Sequence, residues 1–167
     1  MEMRKILIFT LLALIALSMS CCTVSEQTLQ RRAEQRAQLS QTIRQQLDDR
    51  QYKVKVRQAY PMSGPPIVLS TTYYLHVVGD SISSYLPYFG RAYSVPYGGG
   101  KGLNFEATIS DYQQVWVDDH QARIDIRVVN EEDDYQFTVE VYDNGPAYIR
   151  VLSRQRQSIS FSGEMDY

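Results

Sequence analysis

The chain contains 167 residues, of which 44% are hydrophobic, and carries a formal net charge of −2 at pH 7. This balance excludes a general nucleic-acid-binding function, which requires a basic excess, and no block of like charges indicates a disordered tail. The 2 cysteines, Cys21 and Cys22, are adjacent, so a disulfide between them would close no loop and would not stabilise a domain. The folded part must therefore be stabilised by its hydrophobic core.

The N-terminus is arranged like a secretory signal. A basic pair precedes a nearly unbroken apolar run from Ile6 to Leu17, and small residues follow the run. This run is shorter than the stretch of about 20 apolar residues that crosses a bilayer. We predict a lipoprotein-type signal peptide at 1–20, because Cys21 resembles the residue whose thiol is diacylated in bacterial lipoproteins and becomes the mature N-terminus. An ordinary cleaved signal is the alternative, because Ser18 stands where lipoprotein signals usually carry an aliphatic residue.

Residues 25–50 contain no Gly or Pro and are rich in good helix formers. A thin apolar stripe at helical spacing runs along this segment and consists of Leu29, Ala33, Ala37, Ile43 and Leu47. We expect one helix, whose second half docks on the folded domain and whose first half acts as a tether. The predicted organisation is a signal peptide at 1–20, a lipid anchor and tether at 21–29, and a single β-rich domain with its N-terminal helix at 30–167.

From position 52 onward, apolar and polar residues alternate, as in strands that bury one face of an antiparallel sheet. Turn residues separate several of these runs, at Gly79–Asp80, Asn130–Asp134 and Asp143–Pro146. The predicted strand segments are Tyr52–Val56, Ile67–Val78, Ser81–Leu86, Asn104–Ile109, Val115–Val117, Arg123–Val128, Tyr135–Tyr142, Ala147–Leu152 and Ser158–Phe161. Short strands with one apolar face must close on themselves or pair as two layers. We therefore predict an α+β, mainly antiparallel β fold: a β-sandwich or half-open β-barrel of about eight strands with one N-terminal helix.

The connection at 85–106 differs from the rest of the chain, because aromatic residues, glycines and two cations are concentrated in it. A connection of this length inside a compact domain is functional or disordered, and its large aromatics argue against disorder. Tyrosines beside a cation can stack on sugar rings or grip a peptide. The candidate ligand-binding residues are Tyr85, Tyr88, Phe89, Arg91, Tyr93, Tyr97 and Lys101. The alternative is structural: the loop folds back over an open end of the sheet, and its tyrosines plug the core.

No pattern in the sequence predicts a catalytic residue, a metal site or a cofactor. The stretch Gly98–Lys101 is not a phosphate loop, because Gly102 follows the lysine where Ser or Thr is required. The two histidines, His76 and His120, lack the close spacing of a metal site. The acidic run Glu131–Asp134 lacks the glycine and the spaced ligands of a calcium loop, and we interpret it as a solvated hairpin tip.

Three blocks of sequence together resemble a known family: 52–62 (YKVKVRQAYPM), 84–106 (beginning SYLPYFGRAY) and 156–163 (RQSISFSG). They are similar to domain-of-unknown-function family 4251, a group of uncharacterised Bacteroidetes envelope proteins, and the similarity covers almost the whole predicted domain. The resemblance implies a Gram-negative cell envelope, a lipoprotein-type start and a β-rich fold. It implies no activity, so no catalytic residue follows from it. The acidic stretch that directs many lipoproteins of these bacteria to the cell surface is missing after Cys21, which favours the outer membrane facing the periplasm.

The sequence thus supports a non-catalytic lipoprotein that its lipid holds at the membrane. In this interpretation the connection 85–106 binds a glycan, a peptide or a partner protein. Two alternatives remain: a hydrolase that acts on envelope polymers with Glu106 or another carboxylate as acid–base, and a structural subunit of an envelope complex. The binding module is preferred to the hydrolase, because catalysis normally needs a convergent group of titratable residues and the sequence shows none.

Overall fold

The computed structural model describes residues 21–94 and 101–167, with the side chains of α1 described from position 26 onward. Within those residues, one helix, α1, spans Cys21–Asp48. The strands found in the same residues are β1 Gln51–Pro61, β2 Ile67–Val78, β3 Ser81–Leu86, β4 Leu103–Thr108, β5 Asp111–Trp116, β6 Gln121–Val129, β7 Asp134–Tyr142, β8 Pro146–Ser153 and β9 Ile159–Met165. The predicted signal peptide at 1–20 lies outside the described residues.

The nine described strands form one antiparallel sheet in the order β4-β3-β2-β1-β9-β8-β7-β6-β5. β4 and β5 therefore lie at opposite edges, although only Ile109 and Ser110 separate them in the chain. A flat sheet of nine strands would hold its edges on the order of 40 Å apart, and two residues cannot bridge that gap. The sheet instead curls: the amide of Ile109 donates to the carbonyl of Asp80 (2.8 Å), and that of Ser110 donates to the carbonyl of Arg127 (2.8 Å). The half-open barrel is thus confirmed as a half-barrel of nine strands, and the sandwich alternative is not adopted.

The hydrophobic core lies on the inner face of the curled sheet. The alternation predicted from the sequence is regular in β6, where Ile124 and Ile126 are fully buried and Arg123 is exposed. The last turns of α1 complete this core, because Ile43 and Leu47 are also fully buried. The prediction that the second half of the helix docks on the domain is confirmed.

The chain divides into two compact units, and Leu39–Tyr167 is the one that contains the sheet. The other unit ends at Gln38, and its helical residues 26–38 are all exposed. At about 1.5 Å per residue, the described helical stretch of that unit is about 27 Å long. In the described part of the chain, α1 included, no helix has the length and apolarity needed to cross a membrane.

A bulge in β1 decides which side chains face outward along its second half. The pairing of β1 with β9 shifts at Arg57, which has no partner in the ladder. At the same place Gly163 of β9 lies so close to β1 that a Cβ atom would overlap the carbonyl group of Lys55, so only glycine fits. Beyond the bulge, Ala59 is buried in the core and Tyr60 is exposed on the outer face.

The half-barrel has two ends, which are closed by different structures. The antiparallel strand directions gather four connections at one end, here called the loop end: 62–66, the described parts of 87–102 (87–94 and 101–102), 130–133 and 154–158. The opposite end, here called the helix end, holds the last turns of α1 and the turn between β2 and β3. There the amide of Gly79 donates to the carbonyl of Arg50 (2.8 Å), which ties the turn to the residues that follow α1.

Candidate functional site

The described part of the connection between β3 and β4 follows a fixed path across the loop end. Ala92 forms an antiparallel bridge with Arg156, which lies in the connection between β8 and β9. Beside this bridge, the amide of Tyr93 donates to the carbonyl of Gln155 (2.7 Å). These backbone contacts hold this part of the loop against the connection between β8 and β9.

The side chain of Arg156 supports the loop from the interior. Arg156 is only 5% exposed, and a buried guanidinium is tolerated only when it is paired and hydrogen-bonded. Its Nη1 donates to the carbonyl of Gly102 (3.0 Å) and to the hydroxyl of Tyr135 (2.9 Å), and its Nη2 donates to the carboxylate of Glu132 (3.4 Å). One side chain thus joins the end of the loop, β7 and the turn between β6 and β7.

Tyr88 holds the first part of the loop against the same connection. Its hydroxyl donates toward the carbonyl oxygens of Arg91 (2.9 Å) and Gln157 (3.1 Å), and its ring lies 5.9 Å from the guanidinium of Arg156. A Cβ atom at Gly90 would lie 2.7 Å from the Tyr88 hydroxyl, so glycine allows this close approach. Burial raises the pKa of the Tyr88 phenol, and since a phenol is protonated at neutral pH even without this shift, the hydroxyl is a hydrogen-bond donor.

The acidic turn between β6 and β7 differs from the solvated tip that the sequence predicts. Asp133 is buried and accepts hydrogen bonds from the hydroxyl of Ser153 and from the amides of Arg154 (3.1 Å) and Gln155 (3.3 Å). The interpretation of the whole run as solvated is wrong at this residue. A carboxylate that receives several donors can be buried, because those donors replace the water that it loses.

Three of the predicted residues expose their side chains on the loop that Arg156 and Tyr88 support. Phe89, Arg91 and Tyr93 are all exposed, with Tyr93 at 65%. We call these three residues the loop surface. Tyr88 thus has the structural role and packs inward, while the side chains of Phe89, Arg91 and Tyr93 are exposed and their ligand-binding role stays a prediction.

The other predicted residues lie elsewhere. Tyr85 is in β3, on the outer face of the sheet, where its ring stacks on that of Tyr73 with centroids 5.3 Å apart. Lys101 has an exposed side chain, and its amide donates to the carboxylate of Glu132 (3.1 Å). Tyr97 lies outside the described residues.

Sequence reasoning missed Arg156 and Asp133, the two buried charged residues of this end. Both lie in short polar segments between strands, where no periodicity distinguishes a buried charge from an exposed one. A signal for Arg156 was present only in the family resemblance, since the third matching block begins with this residue. Nothing comparable singled out Asp133 from its acidic neighbours.

Glu106, the acid–base candidate of the hydrolase alternative, lies exposed on the outer face of β4. Its carboxylate accepts a hydrogen bond from the hydroxyl of Ser83 (3.3 Å). In the register of the sheet Ser83 lies between Glu106 and His76, so their backbones are two strand spacings apart, about 10 Å. Glu106 and His76 line the same shallow groove, but among the described residues no hydrogen bond joins Glu106 to a histidine or to a second carboxylate. The described residues also contain no group of three or more His, Cys, Asp or Glu that could hold a metal ion.

The other histidine, His120, lies at the helix end and is hydrogen-bonded to a carboxylate. Its Nδ1 is 2.7 Å from the carboxylate of Asp143. The hydrogen bond and the charge of Asp143 raise the pKa of His120. His120 and Asp143 lie in two turns at the helix end. Their contact therefore connects these turns and lies away from the loop surface.

Comparison with known proteins gives a family but no activity. The family model described as "Domain of unknown function (DUF4251)" matches residues 34–165, which confirms the resemblance seen in the sequence. Among solved structures, the fold is similar to a crystal structure of a DUF4251 family protein from Bacteroides eggerthii. The two are 14% identical with a TM-score of 0.58, over 76% of this chain and 86% of that chain, so the likeness concerns the fold alone. No functionally curated protein matches the sequence.

Proposed function

The chain belongs to the DUF4251 family, a domain of unknown function, and we propose that it is a non-catalytic binding module of the bacterial cell envelope. Its ligand is a peptide or a segment of a partner protein, and it binds at the loop surface of Phe89, Arg91 and Tyr93. One observation carries the proposal: the loop backbone is fixed by Arg156 and Tyr88, while these three side chains remain exposed.

The residue types of the loop surface favour a protein ligand. Aromatic side chains and arginine are enriched among the residues that dominate binding energy in protein interfaces. Phe89 carries no hydroxyl to offer to a sugar, and Arg91 supplies a planar cation that pairs well with a carboxylate. Because hydrogen bonds from Tyr88 and Arg156 already order the backbone, a ligand loses less binding energy to ordering this surface.

The proposed location rests on the N-terminal sequence. A signal peptide at 1–20 followed by diacylation of Cys21 would hold the protein on the outer membrane, facing the periplasm. Each buried methylene of the lipid contributes about 0.8 kcal/mol, so multiple acyl chains anchor the protein stably. The exposed helical residues 26–38 would then serve as a spacer between the lipid and the domain.

The anchor is tested by membrane fractionation of cells that express the full chain. We expect Cys21→Ser to release the protein from the membrane fraction, because the acylated thiol is gone. Cys22→Ser is the matched control and should remain membrane-bound. Membrane retention of the Cys21→Ser protein would contradict lipidation at this residue.

The loop surface is tested with peptides selected from a random library on the full chain, with affinities measured by fluorescence anisotropy. The double variant Phe89→Ala/Tyr93→Ala should lose about 30-fold in affinity, since two aromatic anchors each contribute about 1 kcal/mol or more. Tyr167→Ala is the control, because Tyr167 is as exposed as Tyr93 but lies at the C-terminus. The proposal would be contradicted if the library yields no peptide, or if the selected peptides bind the double variant as tightly as the unchanged chain.

A further inference from the structure

A second candidate site lies on the outer face of the half-barrel, away from the loop surface. It is an open groove of about 660 Å³ that runs across β1, β9, β8, β7 and β6. Its main side chains are Tyr60, Arg123, Thr138, Glu140, Tyr148 and Arg150. We call it the outer groove.

Two tyrosine rings with fixed positions form the aromatic part of the outer groove. Tyr148 is 48% exposed, and the ring of Tyr142 braces it edge-to-face at 6.2 Å. Tyr60 is held through its hydroxyl, which donates to the side chain of Gln58 (2.8 Å) and lies 3.2 Å from the hydroxyl of Ser162. β9 separates the strands of the two tyrosines, so their backbones are on the order of 10 Å apart.

The polar groups around Tyr148 include one donor and one acceptor that are free for a ligand. Among the described residues, the side chains of Glu140 and Arg150 have no hydrogen-bond or ion-pair partner. Glu140 lies directly opposite Tyr148 in the register of β7 and β8, and Arg150 lies two positions further along β8 on the same face. In contrast, Arg123 is paired with the carboxylate of Asp125 (3.1 Å).

We propose that the outer groove binds an uncharged oligosaccharide. A sugar ring has an apolar C–H face and a rim of hydroxyl groups that both donate and accept hydrogen bonds. An exposed aromatic ring flanked by an unpaired guanidinium and an unpaired carboxylate meets both requirements. The free charges of Arg150 and Glu140 are opposite in sign, which disfavours a polyanion. The open shape and the spacing of Tyr60 and Tyr148 fit a chain of sugars rather than a single one.

The strand pairing argues against a peptide in this groove. A peptide that binds by strand addition needs a free sheet edge, where its main chain forms hydrogen bonds. β7, β8 and β9 each have hydrogen-bonded neighbours on both sides, so their backbone groups are already used. A ligand of the outer groove must therefore be recognised by side chains, and rings with hydroxyl groups match the side chains that are present.

The test uses the full chain, purified in detergent, and calorimetric titration with six-residue oligosaccharides. The neutral probes are oligomers of α-glucose, β-glucose, xylose, mannose and N-acetylglucosamine, and the acidic probe is an oligogalacturonate. We expect at least one neutral probe to bind, and Tyr148→Ala to weaken its binding at least tenfold. Arg150→Ala should weaken it as well. The control is Tyr85→Ala, because Tyr85 is similarly exposed, at 40%, on the outer face of β3 but does not line this groove.

Each outcome decides the proposal. Binding that is lost in Tyr148→Ala and kept in Tyr85→Ala supports it, provided that the near-ultraviolet circular dichroism of the variant is unchanged. No binding by any neutral probe overturns it, and so does neutral-probe binding that survives both Tyr148→Ala and Arg150→Ala. Preferential binding of the oligogalacturonate overturns the assignment to an uncharged sugar. The Phe89→Ala/Tyr93→Ala variant should keep sugar binding, which separates this site from the loop surface.

Discussion

The two ends of the half-barrel are closed by opposite kinds of chemistry. At the helix end, Ile43 and Leu47 fill the interior with apolar side chains. At the loop end, buried charged groups join the connections to one another: Arg156 binds three partners, and Asp133 receives donors from the end of β8 and from the connection that follows it. One end is thus sealed by hydrophobic burial and the other by a small set of directional hydrogen bonds.

The helix end also buries two polar side-chain atoms. The side-chain oxygen of Gln46 is buried with no hydrogen-bond partner in the described part of the chain, and the buried hydroxyl of Tyr52 has the hydroxyl of Tyr112 as its polar neighbour. Burial raises the pKa of Tyr52 far above its usual range. Cation–π contacts cover this end from outside, with the guanidinium of Arg44 4.1 Å from the ring of Trp116.

The two ends should therefore lose stability in different ways when a side chain is removed. Hydrophobic burial is non-directional and depends on the area removed from water, so the helix end should lose stability in proportion to the atoms removed. A buried polar network depends on every member, because one deletion leaves the others without partners. The loop end should therefore open locally when a single group is lost.

The largest effect is expected from Arg156→Met. The variant keeps most of the apolar volume but leaves the carbonyl of Gly102, the hydroxyl of Tyr135 and the carboxylate of Glu132 without their donor. We expect a loss of about 4 kcal/mol in the free energy of unfolding, since removing one partner of a buried ion pair costs about 3–5 kcal/mol. Urea denaturation followed by tryptophan fluorescence measures this loss.

Hydrogen exchange shows whether that loss begins at the loop end. In Arg156→Met, the amide of Tyr93 should lose its protection before the amides of β6 do, because opening is local. Arg154→Met is the control, since Arg154 is exposed and pairs only at the surface. The two ends would not differ in the proposed way if Arg156→Met lost protection uniformly along the chain, or if it lost no stability.

A smaller effect is expected from Leu47→Ala at the helix end. Removing a fully buried leucine side chain costs about 3 kcal/mol, through lost burial and the cavity that remains. Here the loss should be global: the amides of α1 and of the sheet should exchange faster together, with no selective opening of the loop. Leu29→Ala is the matched control, because Leu29 is exposed in the same helix and should change stability little. Selective exposure of Tyr93 in Leu47→Ala would contradict this account.

The strands show which kinds of element the sequence predicts well and which it predicts poorly. The alternation in β6 and β7 predicts both strands, because each buries every second residue against one core. β5 is predicted only at its end, at Val115–Val117, although it begins at Asp111. Its inner face carries Tyr112 and Gln114 against the end of α1, where the side chain of Gln114 donates to Asp48 (2.9 Å). A strand whose inner face is partly polar gives a weak alternation signal.

The candidate site also has a part that the sequence predicts and a part that it does not predict. Composition alone singles out the connection that carries Phe89, Arg91 and Tyr93, since aromatics and glycines are concentrated there. Composition does not tell which tyrosine faces inward, because Tyr88 is oriented by contacts with the core and with the connection between β8 and β9, which is distant in the chain. The outer groove is not visible in the sequence at all: Tyr60 and Tyr148 lie 88 positions apart in numbering and meet only through the sheet order β1-β9-β8.

The types of the elements, the turns, the docking helix and the family can be predicted from the sequence. These follow from local periodicity, turn chemistry and composition, which depend on residues close together in the chain. The closure of the sheet, the burial of Arg156 and Asp133, and the side chains that line the outer groove are seen in the folded structure alone. Each of these depends on directional contacts between residues far apart in the chain, and whether a polar side chain is buried is set by the partners that folding brings to it.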